Sequence, residues 1–505
     1  MRFSRFIGFC LLAIVTLATA QTPAPQTPSR ADILRGEYCP WRANNDLLSY
    51  DLDIRVDPDK KFIRGKNTIR FKMLKDDTRI QLDLFATLNV DKILHNGQEL
   101  KYTRELGTVF VDFPAPLRKG SVQAIEFYYS GSPQATGRFG GITFGKDPAG
   151  RTWINTACQG IGASIWWPNK DQQRDEVENM RLRVAIPNGL TDVSNGRLVG
   201  KTDLGDGYTR WDWAINNPIN NYSVSLNIGT YEHFSDKHGD LTLDFYCLPE
   251  NLEKAKRQFA QAKPMIAAFE KYFGPYPFKR DGYKLIEVPY SGMEHQSAVT
   301  YGNHFANGYL ERDWTGVGVS LKFDFIIIHE SAHEWFGNAI TAADNSDEWI
   351  QEGWATYAEC VYVEALFGKE DALKYTNGYQ SKVRNQQPII TQRGVNQGPS
   401  QDQYFKGALF LNTLRSVLTE KEADDARWWR LLRAYFNRFK YHNILTEDVV
   451  AFFNQQTGKN LTPIFDQYLR HAALPVLLEG CLGVELRGQP FTHPIEGEDT
   501  FALQF

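Results

Sequence analysis

Two histidines four residues apart, His329 and His333, enclose a glutamate, Glu330, and another glutamate follows at Glu352. Side chains at positions i and i+4 of a helix lie on one face, so both imidazoles can reach the same ion. Histidine nitrogen and carboxylate oxygen are zinc ligands, and a catalytic zinc keeps one position open. The spacing predicts a zinc ion bound by His329, His333 and Glu352, with Glu330 as the general base for a metal-activated water.

The residues around the histidine pair favour a metal site over a chance match. The apolar run Phe323–Ile328 leads into the pair, and the segment Trp335–Gly337 follows it. This pattern predicts a buried helix that ends near Gly337 and Asn338. Two histidines and a glutamate inside a buried helix need polar partners, and a metal ion would serve all three.

Composition and charge restrict the class of protein. The chain has 505 residues, of which 42% are hydrophobic and 23% charged, and a formal net charge of −4 at pH 7. This length is enough for roughly two to four domains. The charge gives no support for nucleic acid or an anionic membrane as partner. Five cysteines follow residue 20, and their wide spacing fits neither a disulfide scaffold nor a cysteine zinc site.

The first twenty residues have the pattern of a signal peptide. Arg2 and Arg5 precede the apolar run Phe6–Leu17, and Ala18-Thr19-Ala20 follows as a cleavage site. The run is too short to span a bilayer, and no other stretch of the sequence could cross one. We therefore expect an exported, soluble protein, periplasmic or extracellular, without a membrane span in the mature chain.

The apolar periodicity changes along the chain. In Leu52, Ile54 and Val56 the apolar residues alternate with charged ones, and similar segments predict an antiparallel β domain over residues 41–238. Beyond it, helical patterns dominate residues 239–474 and predict a mainly helical catalytic domain. Strands followed by helices indicate an α+β chain of separate domains. Residues 21–40 are predicted to be a linker, and residues 475–505 a short strand-like segment.

Four segments resemble motifs of one known family. They are, in chain order, Ser291–His295 (SGMEH), His329–Asn338 (HESAHEWFGN), Trp349–Ala355 (WIQEGWA) and Tyr404–Ala408 (YFKGA). These segments are similar to the exopeptidase motif, the zinc helix, the third-ligand segment and the tyrosine segment of the aminopeptidase N family of gluzincins, which also contains a leukotriene hydrolase. The resemblance implies a thermolysin-like zinc catalytic domain, one Zn²⁺ per chain and peptide substrates with a free N-terminus.

The resemblance also implies roles for individual residues. The Tyr404 hydroxyl would stabilise the carbonyl oxygen as it becomes negative. Glu294 would bind the α-ammonium group of the substrate, with Gln159 as a second contact, and such an anchor makes an exopeptidase. Gly292 and Met293 would line the pocket for the first side chain of the substrate.

Glu359 follows Glu352 by two helical turns and lies on the same face. It could accept the outer N–H of a zinc-bound histidine. The alternative is that Glu359 is a solvated glutamate on the helix surface.

The sequence departs from the family pattern in two places. Ser291 replaces a glycine of the exopeptidase motif, and His295 replaces an asparagine. A cationic imidazole at His295 could partly neutralise Glu294. The chain also ends before the large helical domain that encloses the cleft in many relatives, so we expect an open cleft that accepts longer peptides.

Our first hypothesis is an exported zinc aminopeptidase. Three alternatives remain open: a thermolysin-like endopeptidase, an epoxide-hydrolysing relative, and a zinc-binding or scaffold protein without turnover. Blocking the amine of the substrate separates the endopeptidase from the first hypothesis. The sequence makes no prediction for the oligomeric state.

Overall fold

The computed structural model describes residues 27–134, 136, 140–419 and 425–473. The predicted signal peptide, residues 1–20, and the predicted strand-like segment, residues 475–505, lie outside the described residues. Among the described helices, none has both the length and the apolar character that crossing a membrane requires.

Part of the predicted linker is folded. Helix Arg30–Gly36 begins at Ser29, whose hydroxyl accepts a hydrogen bond from the backbone of Asp32 while the Asp32 carboxylate bonds back to Ser29. A second short helix covers Pro40–Ala43. Its Arg42 side chain is buried and donates to the Asp83 carboxylate at 2.6 Å, which ties the segment to the β domain. The linker prediction rested on prolines before residue 30, and it was wrong from residue 30 onwards.

The alternating pattern of the first half produces the predicted β domain. Leu52, Ile54 and Val56 are buried, while the charged residues between them are more exposed. Strand Asn45–Asp57 is antiparallel to Phe62–Met73 but parallel to Asn179–Pro187, so the largest sheet is mixed. The spatial order of its eight strands is Arg197–Asp203, Tyr208–Ile215, Asn179–Pro187, Asn45–Asp57, Phe62–Met73, Val122–Gly131, Leu88–His95 and Gln98–Glu99.

Two smaller sheets complete the β domain and share its apolar core. The three-stranded sheet consists of Asp77–Asp83, Thr108–Leu117 and Lys101–Glu105. The four-stranded sheet consists of Thr191–Ser194, Leu226–Gly229, Thr152–Ala157 and Gly141–Lys146. Strand Thr152–Ala157 ends two residues before Gln159, which therefore lies where the β domain meets the helical half.

The sheet of the second half begins before the predicted domain boundary. Strand Glu232–His238 forms a hairpin with Leu241–Cys247, and the boundary predicted after residue 238 falls in this hairpin. Strand Leu241–Cys247 continues the sheet through Tyr283–Glu287 and Val299–Tyr301. The short strand Gly292–Met293 is the edge of this five-stranded sheet, and its free side faces the helices.

Three helices of the second half carry the predicted chemistry. We call Phe325–Ala332 the motif helix, Trp349–Phe367 the ligand helix and Asp402–Leu418 the tyrosine helix. The surrounding elements are helices Leu252–Gln258, Ala262–Tyr272, Lys369–Gly378, Asp425–Phe439, Thr446–Thr457 and Thr462–Leu469, and the parallel strand pair Ile340–Ala342 and His442–Ile444. A second apolar core runs through this half and buries the motif helix.

Candidate active site

The motif helix is fixed at both ends. At its start, the Asp324 carboxylate accepts hydrogen bonds from the backbone of Ile326 and Ile327. The α-helix ends at Ala332, and an irregular π-helical turn, Glu334–Asn338, continues to the predicted end near Gly337 and Asn338. Phe336 leaves helical geometry, and Gly337 has φ 138°, a value that favours glycine.

This turn orients the second histidine. Nδ1 of His333 lies 2.9 Å from the backbone oxygen of Phe336, and its N–H donates to that oxygen. A Cβ on Gly337 would lie 3.0 Å from His333 Nδ1, so the position has little room for a side chain. The glycine that sequence patterning interpreted as a helix end therefore also leaves space for the histidine ring.

The three predicted ligands converge. His329, His333 and Glu352 are all buried, and each offers one ligand atom within 4.8 Å of the others. The two Nε2 atoms are 3.4 Å apart. Oε2 of Glu352 lies 3.4 Å from Nε2 of His329 and 3.3 Å from Nε2 of His333. The ligand helix thus presents its carboxylate to both imidazoles.

This arrangement fits a zinc ion. Nδ1 of each histidine is already engaged, at His329 by Glu359 and at His333 by a backbone oxygen, so both Nε2 lone pairs point to one place. Among the described residues, Oε2 of Glu352 has no hydrogen-bond partner although it is buried. Two imidazole lone pairs and a buried carboxylate oxygen repel one another unless a cation lies between them.

Glu359 is buried and is not a solvated helix residue. Its Oε1 accepts from Nδ1 of His329 at 2.7 Å. Its Oε2 accepts from the hydroxyls of Tyr375 and Tyr379, both at 2.6 Å. Partners of this kind fix the tautomer and the orientation of a metal-binding histidine. Sequence reasoning missed the two tyrosines, because only the folded chain brings them to Glu359.

Glu330 faces the edge strand of the sheet. A Cβ on Gly292 would lie 3.0 Å from Cγ and 3.1 Å from Oε1 of Glu330, so a glycine allows this close approach. Burial raises the pKa of Glu330 to about 7, while the His329 imidazole acts in the opposite direction. A carboxylate whose pKa lies near 7 is suited to accept and return a proton.

Glu294 lies two residues after Gly292 in the sequence and beside His333 in the structure. It is 2% exposed, and its Oε1 has no hydrogen-bond partner among the described residues. Ligand atoms of Glu294, Glu330 and His333 lie within 4.8 Å of one another. Burial raises the pKa of Glu294 to about 8; His333 opposes this shift, and the charges of Glu352 and Glu330 add to it. A cation beside the unpaired oxygen would favour the charged form of Glu294.

His295 does not act on Glu294 as a cation. Its side chain is fully buried, and neither ring nitrogen has a hydrogen-bond partner in the described part of the chain. Burial lowers the pKa of His295 to about 3, so the ring is neutral at physiological pH. A neutral ring does not supply the partial neutralisation of Glu294 that a cationic imidazole could have given. Met293 is 5% exposed and packs in the core of the β domain, which leaves it little surface toward a substrate.

The Tyr404 ring lies next to the zinc ligands. Gly353 and Gly407 allow the ligand helix and the tyrosine helix to cross closely, since a Cβ on Gly407 would lie 3.1 Å from Cα of Gly353. The ring centroid of Tyr404 is 6.2 Å from that of His329. Burial and the nearby carboxylates, Glu352 first, raise the pKa of Tyr404 well above its usual value. Its hydroxyl therefore keeps its proton and can donate it in a hydrogen bond.

Gln159 contacts the same carboxylate from the β domain. Its Nε2 donates to Oε1 of Glu352 at 2.9 Å, while Oε2 of Glu352 faces the histidines. Glu348, which sequence reasoning missed, lies one helical turn before Glu352 and is bonded to Gln159 and to Gln403. Its position four residues before Glu352, on the same helix face, was the sequence signal that could have identified Glu348. Burial, followed by the Glu352 charge, raises the pKa of Glu348 to about 8.

Comparison with known proteins identifies the family. Residues 257–468 match the Peptidase family M1 domain. Residues 257–468 thus carry a peptidase family M1 domain. This family is the aminopeptidase N family of gluzincins that the motifs predicted, so that prediction is confirmed, and the family implies zinc.

Several curated relatives are named as aminopeptidases. The chain is 22% identical over 429 residues to leucyl aminopeptidase of Saccharolobus solfataricus, covering 81% of this chain and 51% of the relative. It is also 22% identical over 395 residues to puromycin-sensitive aminopeptidase of Caenorhabditis elegans, covering 75% and 41%. The chain thus spans about half the length of the curated relatives it matches.

A solved M1 structure has the same fold. The M1 zinc metallopeptidase from Deinococcus radiodurans superposes with a TM-score of 0.70 at 21% identity, covering 86% of this chain and 96% of that chain. A mutant of that protein bound to a Tyr-Ser-Ala substrate gives a TM-score of 0.69. The predicted fold class, a β domain followed by a mainly helical thermolysin-like domain, is confirmed.

Proposed function

We propose that this M1 peptidase is an exported, zinc-dependent aminopeptidase with one zinc ion per chain, which releases N-terminal residues from peptides. The observation that carries the proposal is Glu294. Its buried carboxylate has an oxygen without a partner among the described residues and lies within 4.8 Å of Glu330 and His333. An ammonium group is the natural partner of such an oxygen. The names of the curated relatives support the same activity.

His329, His333 and Glu352 would hold the zinc ion. When bound, the ion would polarise the scissile carbonyl and lower the pKa of a water molecule. The described residues contain two groups with metal-ligand geometry, and both include His333. Because the groups share this residue, they mark one location and support a single ion per chain.

Glu330 and Tyr404 supply the remaining chemistry. Glu330 accepts the proton of the attacking water and delivers it to the leaving amine, a role typically worth about 10² to 10⁴ in rate. The Tyr404 hydroxyl, which keeps its proton, donates to the carbonyl oxygen as that oxygen gains negative charge. A donor of this kind typically contributes about 10² to 10³ in rate.

Glu294 and Gln159 fix which peptide bond is cleaved. Glu294 lies beside the histidines, and Gln159 contacts the outer oxygen of Glu352. An α-ammonium group held between them places the first peptide bond of the substrate at the catalytic residues. The edge strand Gly292–Met293 offers backbone groups that can pair with an extended peptide.

A panel of amino-acid amides tests the proposal. The purified protein should cleave them, a chelator should abolish the activity, and elemental analysis should find about one zinc per chain. An N-acetylated peptide should not be cleaved, because acetylation removes the charge that pairs with Glu294. Cleavage of the acetylated peptide would favour the endopeptidase alternative, and active protein without metal would contradict the zinc assignment.

Export is proposed from the sequence of residues 1–20 alone. A protein processed at the Ala18-Thr19-Ala20 site begins at Gln21. N-terminal sequencing of protein recovered outside the cytoplasm should therefore start at Gln21, and an unprocessed cytoplasmic protein would contradict export.

A further inference from the structure

Four aromatic side chains form a group next to the zinc ligands. We call Tyr309, Trp314, Phe325 and Phe405 the aromatic cluster. Ring centroids are 5.1 Å apart for Tyr309 and Trp314, 5.2 Å for Tyr309 and Phe325, and 5.7 Å for Trp314 and Phe405. All four side chains are half-buried. The cluster is therefore packed together but still presents apolar surface.

The aromatic cluster lies directly beside the candidate catalytic residues. The Phe325 ring stacks on the His329 ring with 5.2 Å between centroids and 12° between planes. Phe405 directly follows Tyr404 on the tyrosine helix. The Tyr309 hydroxyl lies 3.3 Å from Oγ of Ser291, next to the edge strand. The aromatic cluster thus lies next to His329, Tyr404 and the edge strand.

The direction of a bound peptide follows from the motif helix. Phe325, His329 and His333 are spaced four residues apart along it, about 6 Å per step. Glu294, the amine anchor, lies beside His333, and Phe325 lies at the other end, beyond His329. A peptide whose amine is held at the His333 end therefore runs past His329 toward Phe325. The aromatic cluster lies on the side of the leaving group.

We propose that the aromatic cluster binds the second side chain of the substrate and selects for large apolar or aromatic residues there. This inference rests on the proposed function, because the direction of the peptide is set by the amine anchor. Aromatic rings interact favourably with other rings and with aliphatic groups at these distances. Lys382 Nζ lies 5.1 Å from the centroid of the Trp314 ring, so a positively charged second residue would lose hydration against the cluster and also meet a like charge.

Hydrogen bonds of the Asn303 side chain hold the loop that carries Tyr309 and Trp314 in place. The Asn303 side chain accepts from the backbone of Leu310 at 2.6 Å and donates to the Asp324 carboxylate at 2.9 Å. Asp324 in turn caps the motif helix. The loop is thereby tied to the helix that bears the histidines, so the cluster exists before a substrate binds.

The backbone of this loop is strained. His304, Phe305, Leu310 and Glu311 have φ values of 58°, 58°, 49° and 65°. Left-handed conformations of non-glycine residues cost free energy and tend to occur at binding sites. The strain is consistent with a loop whose shape serves a ligand.

Tripeptides of the form Leu-Xaa-Ala test the inference on the wild-type protein. With phenylalanine or leucine as Xaa, kcat/KM should exceed the value for alanine by about tenfold, and lysine should be poorest because of Lys382. Leucine amide is cleaved in parallel, because it has no second side chain. Absence of cleavage of leucine amide would contradict the proposed function. Cleavage of the amide with equal rates for all tripeptides would overturn only the present inference.

Variants assign the preference to the cluster. Trp314→Ala and Tyr309→Ala should each lower the ratio of the phenylalanine to the alanine tripeptide several-fold, whereas Tyr309→Phe, which keeps the ring, should retain it. Tyr102→Ala, at a 38% exposed side chain of the β domain, is the matched control and should not change the ratio. Because each ratio is taken within one protein sample, loss of folded protein cancels. A ratio unchanged in both alanine variants would overturn the assignment.

Discussion

Replacing Glu294 with glutamine changes one charge and almost no volume. The carboxylate is 2% exposed and its Oε1 has no partner among the described residues, so the substrate ammonium would be its first strong partner. Glutamine retains one oxygen but loses the charge. We therefore expect Glu294→Gln to bind free-amine substrates weakly while the zinc ligands stay intact.

The size of this loss follows from the type of bond that is removed. Hydrogen bonds to charged groups contribute about 1.5–3 kcal/mol. Since about 1.4 kcal/mol corresponds to a factor of ten, kcat/KM should fall about 10- to 150-fold. The anchor holds the ground state and the transition state alike, so most of the loss should appear in KM.

The assay is steady-state cleavage of leucine amide together with a zinc determination on the same sample. Glu287→Gln is the matched control, because Glu287 lies in the same sheet, two strands from Gly292–Met293, and is also buried. Its two oxygens are already bonded to Leu248 and Asn251, each at 2.7 Å. This variant should keep a kcat/KM close to that of the wild type, although its stability can fall.

Two results would refute the reasoning about Glu294. The first is a Glu294→Gln protein with full zinc content and unchanged kcat/KM. The second is a loss of activity that is matched by a loss of zinc, because Glu294 would then act on the metal site and not on the amine.

Four further predictions concern single side chains: the general base, the tyrosine hydroxyl, the carboxylate that accepts from His329, and a buried aspartate of the β domain. Glu330→Gln should keep its zinc and lose turnover about 10²- to 10⁴-fold, measured by single-turnover kinetics. Tyr404→Phe should lower kcat far more than it raises KM. Glu359→Gln should weaken zinc binding about 10- to 100-fold in a chelator competition. Burial raises the pKa of Asp192 from 3.8 to about 8, so the folded state binds an extra proton between these values and stability falls as pH rises across that window. Asp192→Asn should therefore show a flatter dependence of Tm on pH from 4 to 8.

Each of these predictions has a contrary outcome. Loss of zinc from Glu330→Gln would mean that Glu330 is a ligand, and an effect of Tyr404→Phe confined to KM would place its hydroxyl in binding. Unchanged zinc affinity in Glu359→Gln would reduce Glu359 to a packing residue. The same dependence of Tm on pH in Asp192→Asn and in the wild type would show that Asp192 is ionised in the folded state.

Local spacing was enough to predict that the candidate zinc ligands converge. His329 and His333 share a helix face whatever surrounds them, and Glu352 begins the next helix after a short connection. The periodicity of the apolar residues likewise predicted the order of strands before helices. These features depend on the geometry of single elements, which a sequence pattern records directly.

Element ends were less well predicted. The motif helix gives way after Ala332 to a π-helical turn, Glu334–Asn338, in which Phe336 and Gly337 take up conformations that the apolar pattern does not encode. The segment Arg30–Gly36 is helical through its own capping box, although the composition before it is typical of a linker. Backbone conformation decided the first case and a side-chain capping box the second, and periodicity detects neither.

Only the tertiary structure decided which distant residues complete the site. Tyr375 and Tyr379 reach Glu359, Gln159 crosses from the β domain to Glu352, and the four rings of the aromatic cluster come from three separate segments. Residues this far apart in sequence meet because separate elements bury their apolar faces against each other. The sequence by itself determined the metal-binding chemistry, since its residues are local. The shape of the surrounding cleft is set by contacts between elements, and these exist only once the chain has packed.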